Sequence, residues 1–403
     1  MSKLKTNTIR HVDGSNDNIT LDSSQNVTVE GNLTVDGTST LTGNVTASGQ
    51  LKADALRHTG ASSDAITLAS DGTATAKITN NLSNRNIWIN GAATVAQRGS
   101  EQTGITSITA NPTGGPDRVF AVVANHGTWT IKQGTEGPPG FTNSVEMIST
   151  TGDGSVASNA AVRWWQKFEG YDVQRFMKGT SSAKKFALSF WVKSATTGDY
   201  AVELLDYHNS NKGITRTYTV NAADTWEYKT IIFPADTSGT FNNDNTAALA
   251  CEFWLVAGSN YTSGGADAAW HAYSDGKRAG GHTANAGASN NDYVRITGVQ
   301  LEAGDVATDF EHRSYGDELR RCMRYYWQSL NNTMLFQYGA SHKRIELYFP
   351  VPMRAKPSYD HTGSDITIDS SSHQSNIFFC AYSASAYDGP GRSYSAVKFN
   401  AEL

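Results

Sequence analysis

Asp17-Asn18-Ile19-Thr20-Leu21 returns as Asp64-Ala65-Ile66-Thr67-Leu68, 47 positions further along the chain. The same offset carries Leu4-Lys5 onto Leu51-Lys52 and Arg10-His11 onto Arg57-His58, and matches Ile9 with Leu56. Spaced identities of this kind mark one structural unit used twice. Within it, Ile-Thr-Leu alternates apolar, polar, apolar, the period of a half-buried strand rather than of a helix. Between the copies runs a shorter period: Gly31, Gly37, Gly43 and Gly49 are six residues apart. Leu33, Val35, Leu41 and Val45 fall at even spacings after these glycines, which tolerate positive φ at turns.

Nothing aromatic accompanies these repeats. All 9 Trp, 17 Tyr and 15 Phe lie from Trp88 onward, as do all 9 Pro. A stretch of 87 residues without one Phe, Tyr or Trp has little apolar area to bury by itself. Its periodicity argues against disorder, so its core must come from neighbours. Three intertwined copies would supply one and would cover the strand edges. We therefore expect a homotrimeric β-repeat shaft over residues 1–85, in preference to a single-chain solenoid, which needs more turns and explicit caps.

The whole chain has 403 residues, a net charge of -5 and only 18% charged side chains. That balance gives no electrostatic footprint for nucleic acid. No apolar run is long enough for a membrane-spanning helix, and the first residues lack the apolar centre of a secretory leader. Three widely spaced cysteines (Cys251, Cys322, Cys380) make neither a disulfide framework nor a zinc pattern. No cofactor is expected.

From residue 86 the texture becomes that of an ordinary β domain. Ten alternating or apolar runs between Arg118 and Gln300, separated by Gly, Asn, Asp and Ser, predict a jelly roll or sandwich over residues 86–313. Trp164 and Trp165 must face opposite sides of their strand. Trp191 and Trp254 sit in apolar strands and are assigned to the core. The Gly- and Ala-rich stretch from Ser259 to Asn291 reads as a long surface loop. Gly137-Pro138-Pro139-Gly140 reads as a turn, because two collagen-like triplets are too few for a triple helix. One connecting helix is expected over residues 314–330, from Ser314 as cap and from Leu319, Cys322, Met323, Tyr326 and Leu330 at helical spacing. Residues 331–403 return to short strands and are expected to form a small β-rich tip.

The run Asn86-Ile87-Trp88-Ile89-Asn90-Gly91, with Val95 to Gly99 and Asp117-Arg118, resembles the opening of a module found in bacteriophage tail fibre proteins. Ile296 to Gly304, Ala307-Thr308, Phe310-Glu311, Arg313, Glu318-Leu319 and Cys322 to Tyr326 resemble its close. The aromatic-free repeats are similar to fibre stalks, especially those of marine phages. The resemblance covers about residues 1–330 and implies a trimeric virion appendage. Its N-terminus would join a tail or adaptor protein, and its distal end would contact a host polysaccharide or outer-membrane receptor. The middle module would be jelly-roll-like and similar to carbohydrate-binding modules. It implies no catalytic residue.

Candidate ligand contacts follow from aromatics in polar loops: Tyr261, Trp270 and Tyr273 in the Gly-rich stretch, His342 in the loop Gly339–Lys343, and Tyr382, Tyr387 and Tyr394 around Gly389-Pro390-Gly391. Packing of the same side chains is the competing reading for each. Glu203 and Asp206 are separated by an odd number of residues and fall on opposite strand faces, so they form no carboxylate pair for glycoside cleavage. The expectation is a non-enzymatic attachment fibre. The alternatives are a fibre-borne polysaccharide depolymerase and a capsid-decorating fibre.

Overall fold

A computed structural model describes residues 83–107, 113–208, 211–329, 349–360 and 397–403, together with short strands outside those ranges. The chain divides into two compact units, Met1–Lys77 and Ile78–Leu403.

In the first unit, β1 (Thr8–Ile9), β2 (Ile19–Leu21) and β3 (Val27–Val29) form an antiparallel sheet. A second sheet consists of β4 (Ala55–Leu56), β5 (Ile66–Leu68) and β6 (Ala74–Ala76). Their registers are the same once the repeat offset is applied. Thr8 faces Thr20 and Ile19 faces Val29 in the first copy, while Ala55 faces Thr67 and Ile66 faces Ala76 in the second. The sequence repeat is thus a repeat of one three-stranded meander. The six-residue glycine period (Gly31, Gly37, Gly43, Gly49) and the Arg10-His11 and Arg57-His58 pairs lie outside the described residues.

The second unit is built on two six-stranded antiparallel sheets. One has the order β15 (Glu227–Phe233), β12 (Phe186–Ser194), β18 (Tyr293–Ala303), β10 (Ser144–Thr151), β9 (Thr128–Gly134), β7 (Glu101–Ile105). The other runs β17 (His271–Ala272), β14 (Lys212–Val220), β13 (Gly198–Asp206), β16 (Ala247–Ala257), β11 (Ala161–Glu169), β8 (Phe120–Ala124). The chain crosses repeatedly from one sheet to the other, as in a jelly roll. Alternation decides what lies between them. On β11 the side chains of Val162, Trp164 and Phe168 enter the core, while Trp165 belongs to a separate cluster on the outer face, stacked on Phe120 at 5.8 Å. Trp88, the first aromatic of the chain, is the hub of the core. Its ring meets Trp164, Phe168 and Phe253 at 5.8, 5.6 and 5.9 Å in edge-on geometry, each contact adding about 0.5–1.5 kcal/mol to the area it buries.

The segment carrying Trp88 has two backbone bonds to β18, Ile87 N–H to Leu301 O and Val299 N–H to Gly91 O, both at 3.0 Å, and side chains supply the rest. Gln166 accepts from the Ile89 N–H and donates to its carbonyl, both at 2.8 Å. The Asn86 side chain accepts from Leu301 N–H at 3.1 Å and donates to Val299 O at 3.1 Å. Glu311 accepts from the Asn86 N–H at 2.9 Å and Glu318 from the Asn90 N–H at 2.6 Å, while Arg313 donates to the carbonyls of Asn86 and Trp88. Gln97 donates to the Tyr326 carbonyl at 2.9 Å. The opening and closing runs of the module therefore meet residue on residue.

The helix corrects its expectation at one end. Ser314 caps it as anticipated, accepting from the Asp317 N–H at 3.2 Å, but it spans Tyr315–Met323 and does not reach residue 330. Tyr325 turns inward beneath Arg118, whose guanidinium lies 3.5 Å from the ring centre, and donates its hydroxyl to Glu169 at 2.5 Å. The chain then pairs as a strand, β19 (Tyr326–Gln328). Extended pairing and the aromatic pair Tyr326-Trp327 override the helical spacing. After it come β20 (Thr333–Met334), β21 (Phe336–Tyr338), β22 (His342–Leu347), β23 (Ser358–Asp360), β24 (Thr367–Ile368), β25 (Phe379–Ser383), β26 (Ser393–Tyr394) and β27 (Lys398–Asn400). β27 pairs with both β19 and β23. Glu402, near the end of the chain, pairs with Arg98 at 3.0 Å and with Arg118.

Two further expectations are corrected. The stretch from Ser259 to Asn291 carries short helical turns (Ser259–Thr262, Asp275–Lys277) as well as β17, and its side chains cover the outer face of the second sheet. Trp191 leaves the core, half-buried on the outer face of the first sheet. Trp254 is fully buried, as expected, but in a second cluster with Ala161, Ala201 and Ala279 on the outer face of the second sheet.

Candidate functional site

On the outer face of the second sheet, Glu203 of β13 and Glu252 of β16 are directly opposed in register. Arg278 descends on both, its Nε 3.0 Å from Glu203 Oε2 and an Nη 2.7 Å from Glu252 Oε2. Arg163 of β11 pairs with Glu252 from the other side. The Trp254 ring lies 5.0 Å from the Arg163 guanidinium and 5.3 Å from that of Arg278. Burial pushes the Glu203 carboxyl up to about 8, with Arg278 opposing that rise and Glu252 adding to it. Both carboxylates are 1% exposed. The pair is a buried tie between a sheet and the segment above it, not an open acid–base couple. Asp206, weighed against Glu203 from the sequence, bonds Lys178 at 2.9 Å instead.

Two sequence candidates gather here. Tyr261 packs on Trp254 with ring centres 5.1 Å apart. Tyr273 lies 5.6 Å from Arg278, is 42% exposed and donates to Asp275 at 2.7 Å. Trp270 goes elsewhere: its indole donates to the Pro234 carbonyl at 2.8 Å and its ring tilts against Phe186 at 5.6 Å. That is packing at the core's edge. His342 opens β22 opposite Tyr338, which corrects its placement in a loop; Tyr382 lies on β25 opposite Arg344, and Tyr394 on β26 opposite Thr333. Tyr387 lies outside the described residues.

The open aromatic surface is on the first sheet, where sequence reasoning did not place one. Trp191 of β12 faces Tyr228 of β15 across the ladder, ring centres 5.3 Å apart, with Tyr228 44% exposed. Beside them the ladder to β18 slips between Ser189 and Trp191, and Gly298 takes φ +63°. A Cβ at Gly298 would stand 2.8 Å from the Phe141 ring and 3.3 Å from that of Trp191. Only glycine lets both rings close over this point. Phe141 is delivered by the anticipated turn, its N–H donating to Pro138 O at 2.9 Å, and it meets Phe310 at 5.1 Å and His312 at 5.2 Å. The result is a strip of rings: Tyr228, Trp191, Phe141, His312.

An ion ladder flanks the strip. Glu136 takes Lys193 at 2.6 Å and Arg295 at 2.5 Å, and Arg295 also reaches Glu146 at 2.8 Å. The Lys193 ammonium bonded to Glu136, with Arg295 beside it and little burial against them, holds the Glu136 carboxyl below its usual range. Trp191 and Lys193 share a face by two-residue alternation. Flat π faces beside fixed carboxylates and cations suit a pyranose ring. Its C–H side lies on the negative ring face, and its hydroxyls exchange hydrogen bonds with the charged rim. The signal was present in the sequence: Phe186, Leu188, Phe190 and Val192 already make an inward set, which leaves Trp191 outside.

No family model matches the chain, and no curated protein matches it. Among solved structures, it is similar to a putative sugar binding protein from Bacteroides thetaiotaomicron, with TM-score 0.30, 12% identity, 54% of this chain and 100% of that one covered. A family 11 carbohydrate-binding module from Clostridium thermocellum, in complex with a mixed-linked tetrasaccharide, gives TM-score 0.26 and 12% identity over 53% of this chain and 99% of that one. The enzymatically active domain of tailspike protein 4 from bacteriophage CBA120 gives 0.28 and 13% over 54% of this chain. The match spans about a fifth (21%) of the length of that tailspike domain chain. The assignment of an antiparallel β-sandwich rests on the strand order and registers described above.

Proposed function

We propose that this chain is a virion tail fibre protein that attaches to a host surface by binding glycan, without cleaving it. The observation that carries the reading is the strip Tyr228–Trp191–Phe141, whose rings close over Gly298 and which is bordered by Glu136, Lys193 and Arg295. The resemblance of the opening and closing runs to tail fibre modules supports the virion context. Adhesion suits a shallow strip better than cleavage does, because the Glu203–Glu252 pair is buried and tied to Arg278 and Arg163. As a homotrimer the fibre would present three identical weak sites, and several fibres per particle would multiply their avidity. The N-terminal unit would serve as shaft and as the link to a tail or adaptor protein.

The test is binding of the full chain to polysaccharide extracted from candidate host surfaces, followed by adsorption competition. Trp191→Ala and Tyr228→Ala should each weaken glycan binding at least about tenfold while leaving the fold intact, since both rings lie outside the main core. Retained binding in both variants would overturn the site. A fall in polysaccharide chain length on incubation would overturn the non-enzymatic reading. Light scattering should give a native mass near three times 43.4 kDa, and a monomer would overturn the trimer.

A further inference from the structure

A cavity of about 690 Å³ lies beside the helix Tyr315–Met323, with Arg313, Arg320, Arg321 and Arg324 in its wall and Val351 and Pro352 at its apolar side. Its size is in the range of small-ligand sites, about 300–1,000 Å³. The charges around it are unequally committed. Arg324 is held by Glu169 through two bonds of 2.7 Å. Arg313 is spent on the carbonyls of Asn86 and Trp88 and on Glu311 and Glu318. The cavity's own carboxylates are equally occupied. Glu311 accepts from the backbone N–H groups of Asn84 and Asn86, and Asp317 accepts from the Ser314 hydroxyl at 2.7 Å.

Two guanidinium groups remain. Arg321 gives one bond to the neutral Asn84 side chain at 2.9 Å and makes no ion pair among the described residues. Arg320 is exposed and makes neither a hydrogen bond nor an ion pair among the described residues. Cations in the second half of a helix are favoured by its dipole. That effect does not require Arg320 and Arg324, four residues apart, to crowd into one concavity, where like charges at this spacing oppose each other. A planar guanidinium with free donors matches a two-oxygen anion.

We propose that this cavity binds the oxyanion group of an acidic glycan, a sugar carboxylate or phosphate, between Arg320 and Arg321. The proposal rests on the glycan reading for its ligand, but on Arg320 and Arg321, which are not part of the aromatic strip; His312, at the end of that strip, also lines the cavity.

The experiment measures affinity of the full chain for an oligogalacturonate, for its carboxyl-reduced neutral counterpart and for inorganic phosphate. The wild type should bind the acidic oligosaccharide at least about tenfold more tightly than the neutral one, and salt should erode the difference. Arg320→Gln with Arg321→Gln should abolish the preference with unchanged thermal stability. Arg320→Gln alone, which touches no bond among the described residues, should reduce it. Equal affinity for the two oligosaccharides, or a preference surviving in the double variant, would overturn the proposal. Inorganic phosphate binding as tightly as the oligosaccharide would overturn the glycan as the source of the anion. Tyr228→Ala separates the two readings: failure of the strip leaves affinity for the neutral oligosaccharide unchanged, whereas failure of the cavity leaves no charge preference to lose.

Discussion

Asn90 and Glu318 are 228 positions apart in sequence, yet the Asn90 N–H donates to Glu318 Oε1 at 2.6 Å in a buried setting. Glu318→Ala leaves that N–H without its partner. A buried unsatisfied donor costs about 1–3 kcal/mol, so thermal unfolding should shift downward while strip-dependent glycan binding survives at low temperature. An unchanged melting temperature would mean the joint contributes nothing to stability.

Trp88 contacts three aromatic rings and is almost fully buried. Trp88→Ala should cost about 3–5 kcal/mol, and Trp88→Phe considerably less. Denaturant titration checks both, and the ordering matters more than either figure.

Gly298→Ala places a methyl group against Phe141 and Trp191 and forces φ +63° on a residue with a Cβ. We expect a stability loss of about 1–3 kcal/mol together with loss of glycan binding beyond that of Phe141→Ala. Equilibrium dialysis with the host polysaccharide, run beside denaturant unfolding, separates the two effects.

The Glu203 carboxyl has a raised pKa in the folded protein, caused first by burial. The folded state therefore holds a proton that the unfolded state releases once the pH passes the ordinary value of 4.5. Stability from this group is complete below that value and declines as the pH rises towards about 8. Glu203→Gln should flatten the decline and become relatively more stable at pH 8 than at pH 5. Hydrogen exchange of residues 258–283 would show the same trend locally, because Arg278 ties that segment to the sheet. A wild-type profile with the opposite slope would exclude Glu203 as its source.

Local alternation made the sandwich legible. The division of Trp164 from Trp165 and the cap at Ser314 both depend on neighbours within a few residues. The repeated meander was legible for a related reason: the chain writes it twice. What escaped was set by pairing between distant strands. Nothing near Glu203 announces Glu252, whose place opposite it follows from the register of β13 on β16. The helix stops at Met323 because Tyr326–Gln328 finds a partner in Lys398–Asn400, some seventy residues on. The slip at Gly298 that opens the aromatic strip is likewise a property of two strands and not of one. Trp191 is a different case, since its exposure could have been read from the alternation of its own strand.

The meeting of the opening and closing runs has a consequence for how such chains are assembled. Asn84 and Asn86 at the start of the sandwich bond to Glu311 at its end, so the incoming and outgoing backbone stand side by side. A module with adjacent ends behaves as a cassette: it can be spliced between two neighbours while scarcely disturbing the distance between them. The cassette is not wholly self-contained, because Glu402 near the end of the chain pairs with Arg98 and Arg118 within it, so an exchanged sandwich would have to keep those two arginines.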